Sequence, residues 1–121
     1  MKTHKDLTVW NDAIAAVTSL YKVTETFPES EKFGLINQIR RCAVSIPSNI
    51  AEGAARTSDK EFAHCLSIAL GSLAELETQL IIALNLNFIN QEKFDNLINQ
   101  LTNIRKMTLG LRNKIRNPNK S

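Results

Sequence analysis

The chain has 121 residues, enough for one domain around one core. It is 43% hydrophobic and 22% charged, with four glycines and three prolines. That composition excludes a disordered chain, and the scarcity of turn residues excludes a sandwich or barrel. The formal net charge of +3 hides an asymmetry: nine basic against twelve acidic residues up to Asp95, and six basic residues with no acidic one after it. Opposite signs at the two ends point to self-association or to a polyanionic partner.

The first periodic segment covers about 7–26. Trp10, Ala13, Val17, Leu20 and Thr24 recur at spacings of three and four, with Ile14 and Tyr21 widening the stripe. Asp6 is the expected N-cap, and Phe27-Pro28 ends the helix because a residue before proline avoids the helical region.

The second segment covers about 34–56, with Ile36, Ile39, Ala43, Ile46, Ile50 and Ala54 as its stripe. Pro47 lies inside it and removes one backbone hydrogen bond. The stripe keeps phase across Pro47, which predicts one kinked helix rather than two, with Ser45 and Ser48 helping to satisfy the disturbed backbone.

The third segment, about 59–86, opens on the capping-box pattern Ser58-Asp-Lys-Glu61. Its seam is Phe62, Leu66, Ala69, Leu73, Leu76, Leu80 and Ala83, in unbroken 4-3 alternation. Asn87 suits a left-handed cap. The fourth segment, about 91–116, starts at Asn90 as N-cap. It carries Phe94, Leu97, Leu101, Ile104, Thr108, Leu111 and Ile115 in the same alternation, and residues 117–121 read as a disordered tail.

Four helices of about 30–40 Å joined by short connections must run antiparallel to their neighbours. The expected fold is therefore all-α: a single-domain, up-down antiparallel four-helix bundle with a kink at Pro47. Folding the third helix on the fourth sets Leu80 level with Leu97 and Leu73 with Ile104. Folding the second on the third sets Gly53 level with Phe62. No apolar run approaches the ~20 residues that span a bilayer, and the N-terminus has no apolar stretch behind its lysines. A cytoplasmic protein without a membrane partner is expected.

The chemistry-bearing residues are sparse. His4 and His64 have no second ligand at helical spacing, so no metal site or cofactor is expected. Cys42 and Cys65 sit among apolar residues and are offset by about 10 Å along the bundle axis, too far for a disulfide. They read as packed thiols. Glu52, Glu75 and Glu77 lack the Glu-x-x-His partners of a di-iron bundle. No enzyme is expected.

Two surfaces remain. On the second helix, Gln38, Arg41, Ser45, Ser48, Glu52 and Arg56 form one stripe opposite the core, with Asn49 at its edge. With Ile98 and Leu109 of the fourth helix it is a candidate oligomer seam. Arg105, Arg112 and Arg116 line one flank of the fourth helix and are candidate phosphate ligands, with Arg40, Arg41 and Arg56 as further candidates. With one Trp and one Tyr there is no aromatic platform for base stacking, so recognition of RNA or DNA would be of backbone and shape.

The runs Asp6-Leu-x-Val-Trp10, Phe27-Pro28-x-x-Glu31, Gln38-Ile-Arg-Arg41, Ser45-Ile-Pro-Ser-Asn-Ile-Ala-Glu-Gly53 and Ala69-x-Gly-Ser-Leu-x-Glu-Leu-Glu-Thr-Gln-Leu80 resemble the bacterial four helix bundle proteins, also called ribosomal-RNA intervening sequence proteins. The resemblance covers nearly the whole chain. It implies a homopentamer of bundles arranged as a barrel, in a family mostly of unknown function, some of whose members are encoded within large-subunit ribosomal RNA genes. The related accessory variability proteins of retroelements bind nucleic acid together with a reverse transcriptase. The chain departs from the pattern at Ala54-Ala55, where an aromatic or glycine often follows the Glu-Gly, and at Asn87, where glycine is common. The functional expectation is a non-enzymatic oligomer that binds nucleic acid through its phosphates. The alternative is a scaffold that docks a protein partner.

Overall fold

The computed structural model describes residues 3–118. Residues 119–121 of the expected tail, Lys120 among them, lie outside the described residues. Four helices form the bundle: α1 Thr8–Thr24, α2 Leu35–Ala54, α3 Asp59–Asn85 and α4 Gln91–Arg116. Single 3-10 turns at His4–Asp6 and Glu29–Glu31 precede α1 and α2. Chain neighbours pack on each other and α1 closes the ring against α4, while the diagonal pairs have no close backbone approach. The up-and-down course puts the α1–α2 and α3–α4 turns at one pole. There Phe27 and Phe88 pack with ring centroids 5.7 Å apart.

The caps follow local chemistry in the main, with only the Ser58 half of the expected Ser58–Glu61 capping box formed and with α1 capped differently. Ser58 Oγ accepts from Glu61 N at 3.1 Å, and Asn90 Oδ1 from Lys93 N at 2.8 Å. Asn87 takes φ 62° after the end of α3. Its N–H bonds Leu84 O, and the Phe88 N–H bonds Ala83 O, which closes the helix in a Schellman arrangement. Asp6 is not the cap of α1. It completes a capping box with Thr3 around the 3-10 turn, and α1 starts after Leu7.

One cluster of buried apolar side chains runs the length of the bundle and takes in the α3 and α4 seams. By length and composition alone, α3 is the one described helix long and apolar enough to cross a membrane, with an 18-residue window of mean hydropathy 1.4. In this fold its seam residues from Leu66 to Ala83 are the centre of the core. The α1 stripe is rotated from the expected one. Val9 and Ala16 are buried with Ala13, Leu20 and Thr24, while Ile14 and Tyr21 are 40% and 39% exposed. Ala13 and Ala16 sit on the buried face between Val9 and Leu20, Trp10 and Val17 pack against its edge, and Ile14 and Tyr21 are turned outward.

Helix α2 is unbroken through Pro47, which is itself buried. Ser45 Oγ donates to Cys42 O at 2.6 Å. That carbonyl lies one residue before the one at Ala43 that Pro47 leaves unbonded. Ser45 Oγ also lies 2.6 Å from Ser72 Oγ, joining α2 to α3. Further along the same contact, a Cβ placed on Gly53 would stand 2.8 Å from Cys65 Cβ and 2.9 Å from Phe62 Cδ1. Glycine is required there by proximity, and the expected level of Gly53 with Phe62 is found.

Candidate nucleic-acid interface

The C-terminal half of α4 lies beside the N-terminal half of α3, at the pole opposite the Phe27–Phe88 contact. Arg105, Arg112 and Arg116 lie on one side of α4, as their spacing requires. Arg105 and Arg116 are exposed and Arg112 is half-buried. Arg112 Nη1 donates to Ser67 Oγ of α3 at 3.0 Å, and Arg116 Nη2 approaches the same oxygen at 3.5 Å. Ser67 Oγ in turn donates to Ala63 O at 3.1 Å. A hydroxyl has one proton and two lone pairs, so Ser67 is saturated by these three partners. Among the described residues the one salt bridge joins Arg56 to Glu52 at 2.6 Å, so Arg105, Arg112 and Arg116 have no carboxylate partner. A cleft of about 470 Å³ opens alongside, lined by Asp59, Lys60, Ala63, His64, Ser67 and Arg116 together with Ile115.

The other arginines are placed differently. Arg40 clamps α2 to the end of α1. Its Nε donates to Thr24 Oγ1 at 2.9 Å, its Nη2 donates to Tyr21 O at 3.1 Å, and its guanidinium lies 4.6 Å from the Tyr21 ring centroid. A cation on the last carbonyls of a helix is favourable, because the helix dipole is negative there. Arg56 is exposed, and its pairing with Glu52 raises its pKa above the usual guanidinium range. Arg41 is exposed and, with Arg40, Tyr21 and Val44, lines a hollow of about 570 Å³. The structure thus gathers Arg112 and Arg116 at one point, keeps Arg105 on the same side of α4, and sets Arg40, Arg41 and Arg56 apart on α2.

The polar stripe of α2 lies along the α2–α3 groove. One hollow of about 400 Å³ is lined by Gln38, Arg41, Cys42, Ser45, Ser72 and Glu75 together with Asn37. A second, of about 680 Å³, includes Asn49, Glu52, Arg56, Glu61, His64 and Ile68. Asn49 Nδ2 is held by Ser45 O at 2.7 Å, and Ser48 is exposed. Ile98 packs against the core, and Leu109 is half-buried. Cys42 and Cys65 are buried free thiols. Burial, and then the nearby Glu75 carboxylate, pushes the Cys42 thiol up to about 11, so it is held as the unreactive thiol at neutral pH.

Sequence reasoning missed Ser67. It sits on α3 next to the seam residue Leu66, but its partners lie 45 and 49 residues away. The heptad register that levels Leu73 with Ile104 carries on to bring Ser67 near Arg112, and that was the available signal. The Arg40 clamp was less legible, because its acceptors are a carbonyl and a hydroxyl on another helix.

A structure of a protein of unknown function from the S23 ribosomal protein family, from Bacteroides thetaiotaomicron, superposes on this chain with a TM-score of 0.79. The two are 26% identical over 87% of this chain and 98% of that one. No curated protein matches the chain. The family model described as 23S rRNA-intervening sequence protein matches residues 5–110, nearly the whole of the bundle, and the chain belongs to that family.

Proposed function

We propose that this protein is a non-enzymatic, self-associating bundle that binds nucleic acid through backbone phosphates along the α4 edge. One observation carries the reading: after Asp95 every charged side chain is basic, and Arg105, Arg112 and Arg116 lie along one side of α4 without a salt bridge to any carboxylate among the described residues. Unpaired arginines on one edge are the electrostatic footprint of a polyanion binder. Arg40 and Arg56 have intramolecular partners, so the reading rests on α4.

The test is fluorescence anisotropy with a labelled structured RNA and a duplex DNA, titrated at several salt concentrations. The logarithm of the affinity should fall linearly with the logarithm of salt, at a slope of about 0.9 per phosphate neutralised on duplex DNA. Replacing Arg105, Arg112 and Arg116 together by alanine should reduce that slope by about 3 units. An unchanged slope, or no binding at low salt, would overturn the reading.

The α2–α3 groove supports a second reading, a scaffold that self-associates or docks a protein without nucleic acid. Ser45 and Ser72 present little bulk there, and Ile68 beside them is 43% exposed. The family resemblance makes a pentamer the expected assembly. A monomer at micromolar concentration in sedimentation equilibrium would count against assembly in both readings.

A further inference from the structure

We infer that the cleft between the start of α3 and the end of α4 is a subsite for a single phosphate group, held by Arg116 and Lys60 on its lining, with Arg112 behind that wall and joined to Arg116 through Ser67. This deepens the nucleic-acid reading and rests on it for the source of the phosphate.

The argument starts from an electrostatic imbalance. Two guanidinium groups converge on one neutral oxygen, Ser67 Oγ, at 3.0 and 3.5 Å. Like charges this close repel, and a hydroxyl offsets little of that repulsion. Arg112 Nε is also buried and lacks a hydrogen-bond partner among the described residues, so the Arg112 cation is partly desolvated with only partial compensation. Lys60 brings a second cation to the lining beside Arg116, while Asp59 is the one carboxylate there and is not in salt-bridge contact with either arginine. Two cations against one carboxylate on the lining, with the Arg112 cation close behind it on Ser67, leave a positive excess that suits a phosphate.

The shape agrees with the charge. The cleft of about 470 Å³ is open to solvent and large enough for a phosphate with its ester substituent. Arg116 presents a planar fork of donors that matches two oxygens of a phosphate. Ser67 is a positioning residue. Its proton is engaged by Ala63 O, so both lone pairs face the arginines and hold the two forks together before any ligand arrives.

The first experiment measures thermal unfolding of the full chain in inorganic phosphate against chloride of equal ionic strength. Occupancy of the subsite should raise the midpoint by about 3 °C or more. Arg116→Gln, a change at an exposed side chain, should abolish the difference. Lys93→Gln, on the far half of α4, should keep it. Equal midpoints in the two salts, or a shift that survives Arg116→Gln, would overturn the subsite.

A second arm compares a 5′-phosphorylated RNA oligonucleotide with its 5′-hydroxyl form. A preference of about fivefold or more for the phosphorylated strand, lost in Arg116→Gln, identifies a terminal monoester as occupant. Equal affinity for both strands, weakened in both by Arg116→Gln, identifies a backbone diester. A phosphate shift without oligonucleotide binding retains the subsite and removes nucleic acid as its source. Oligonucleotide binding indifferent to Arg116→Gln, with no phosphate shift, removes the subsite and leaves binding along α4 standing.

Discussion

Cys42 holds its thiol 3.0 Å from the Ser72 carbonyl, in the contact between α2 and α3. Burial and the Glu75 carboxylate both disfavour the thiolate, which is why the folded thiol is pushed up to about 11 from its ordinary value of 9.0. The folded chain therefore keeps its proton to higher pH than the unfolded chain does. Stability linked to this group is intact below about pH 9 and declines as pH rises towards 11. Urea midpoints measured from pH 8 to pH 10.5 should fall more steeply for the natural chain than for Cys42→Ala. Parallel profiles would show that Cys42 titrates as it does when unfolded. The reading of Cys42 as a packed thiol came from its apolar neighbours in sequence. Its bond to Ser72 joins two helices, and no local pattern encodes that.

At the scale of the helices, the seams of α3 and α4 were legible because large apolar residues alternate 4-3 without a slip. Helix α1 was less legible. Its buried face is built on Ala13 and Ala16, whose small side chains carry a weak signal, and Ile14 and Tyr21 compete with it from the exposed side. The α2–α3 contact depends on small residues in the same way, and there the dependence is measurable. Gly53→Ala adds a carbon that would stand 2.8 Å from Cys65 Cβ and 3.3 Å from Phe62 O. Alanine improves helix propensity by about 1 kcal/mol, but overpacking costs about 1–3 kcal/mol. The variant should be net destabilised and lower the melting temperature by several degrees. Cys65→Ala keeps the clashing Cβ and should not rescue it. A Gly53→Ala chain as stable as the natural one would mean that the helices separate without cost.

Across the whole molecule, charge and connectivity are arranged unevenly. The twelve acidic residues all precede residue 96, and the basic edge belongs to the last helix. The sequence showed this asymmetry directly. It did not show that the arginines divide into a clamp at Arg40, an ion pair at Arg56 and a converging pair at Arg112 and Arg116, because each depends on which helix lies opposite. Helices α2 and α3 adjoin in sequence and pack most extensively, whereas α4 meets α1 only after the ring has closed.

That uneven packing sets an order of opening. The α2–α3 hairpin closes a short loop for a large burial, so it is the part expected to form first and exchange its amides last. Docking of α4 is what creates the meeting of Arg112, Arg116 and Ser67. A phosphate held there would act as a latch on the terminal helix. Hydrogen exchange should slow in the C-terminal half of α4 when phosphate is added and change little at the centre of α2; uniform slowing would mean that the helix opens only with the whole bundle. If the latch holds, the ligand sets how long the last helix stays closed, and the lifetime of the folded end becomes a readout of the polyanion around it.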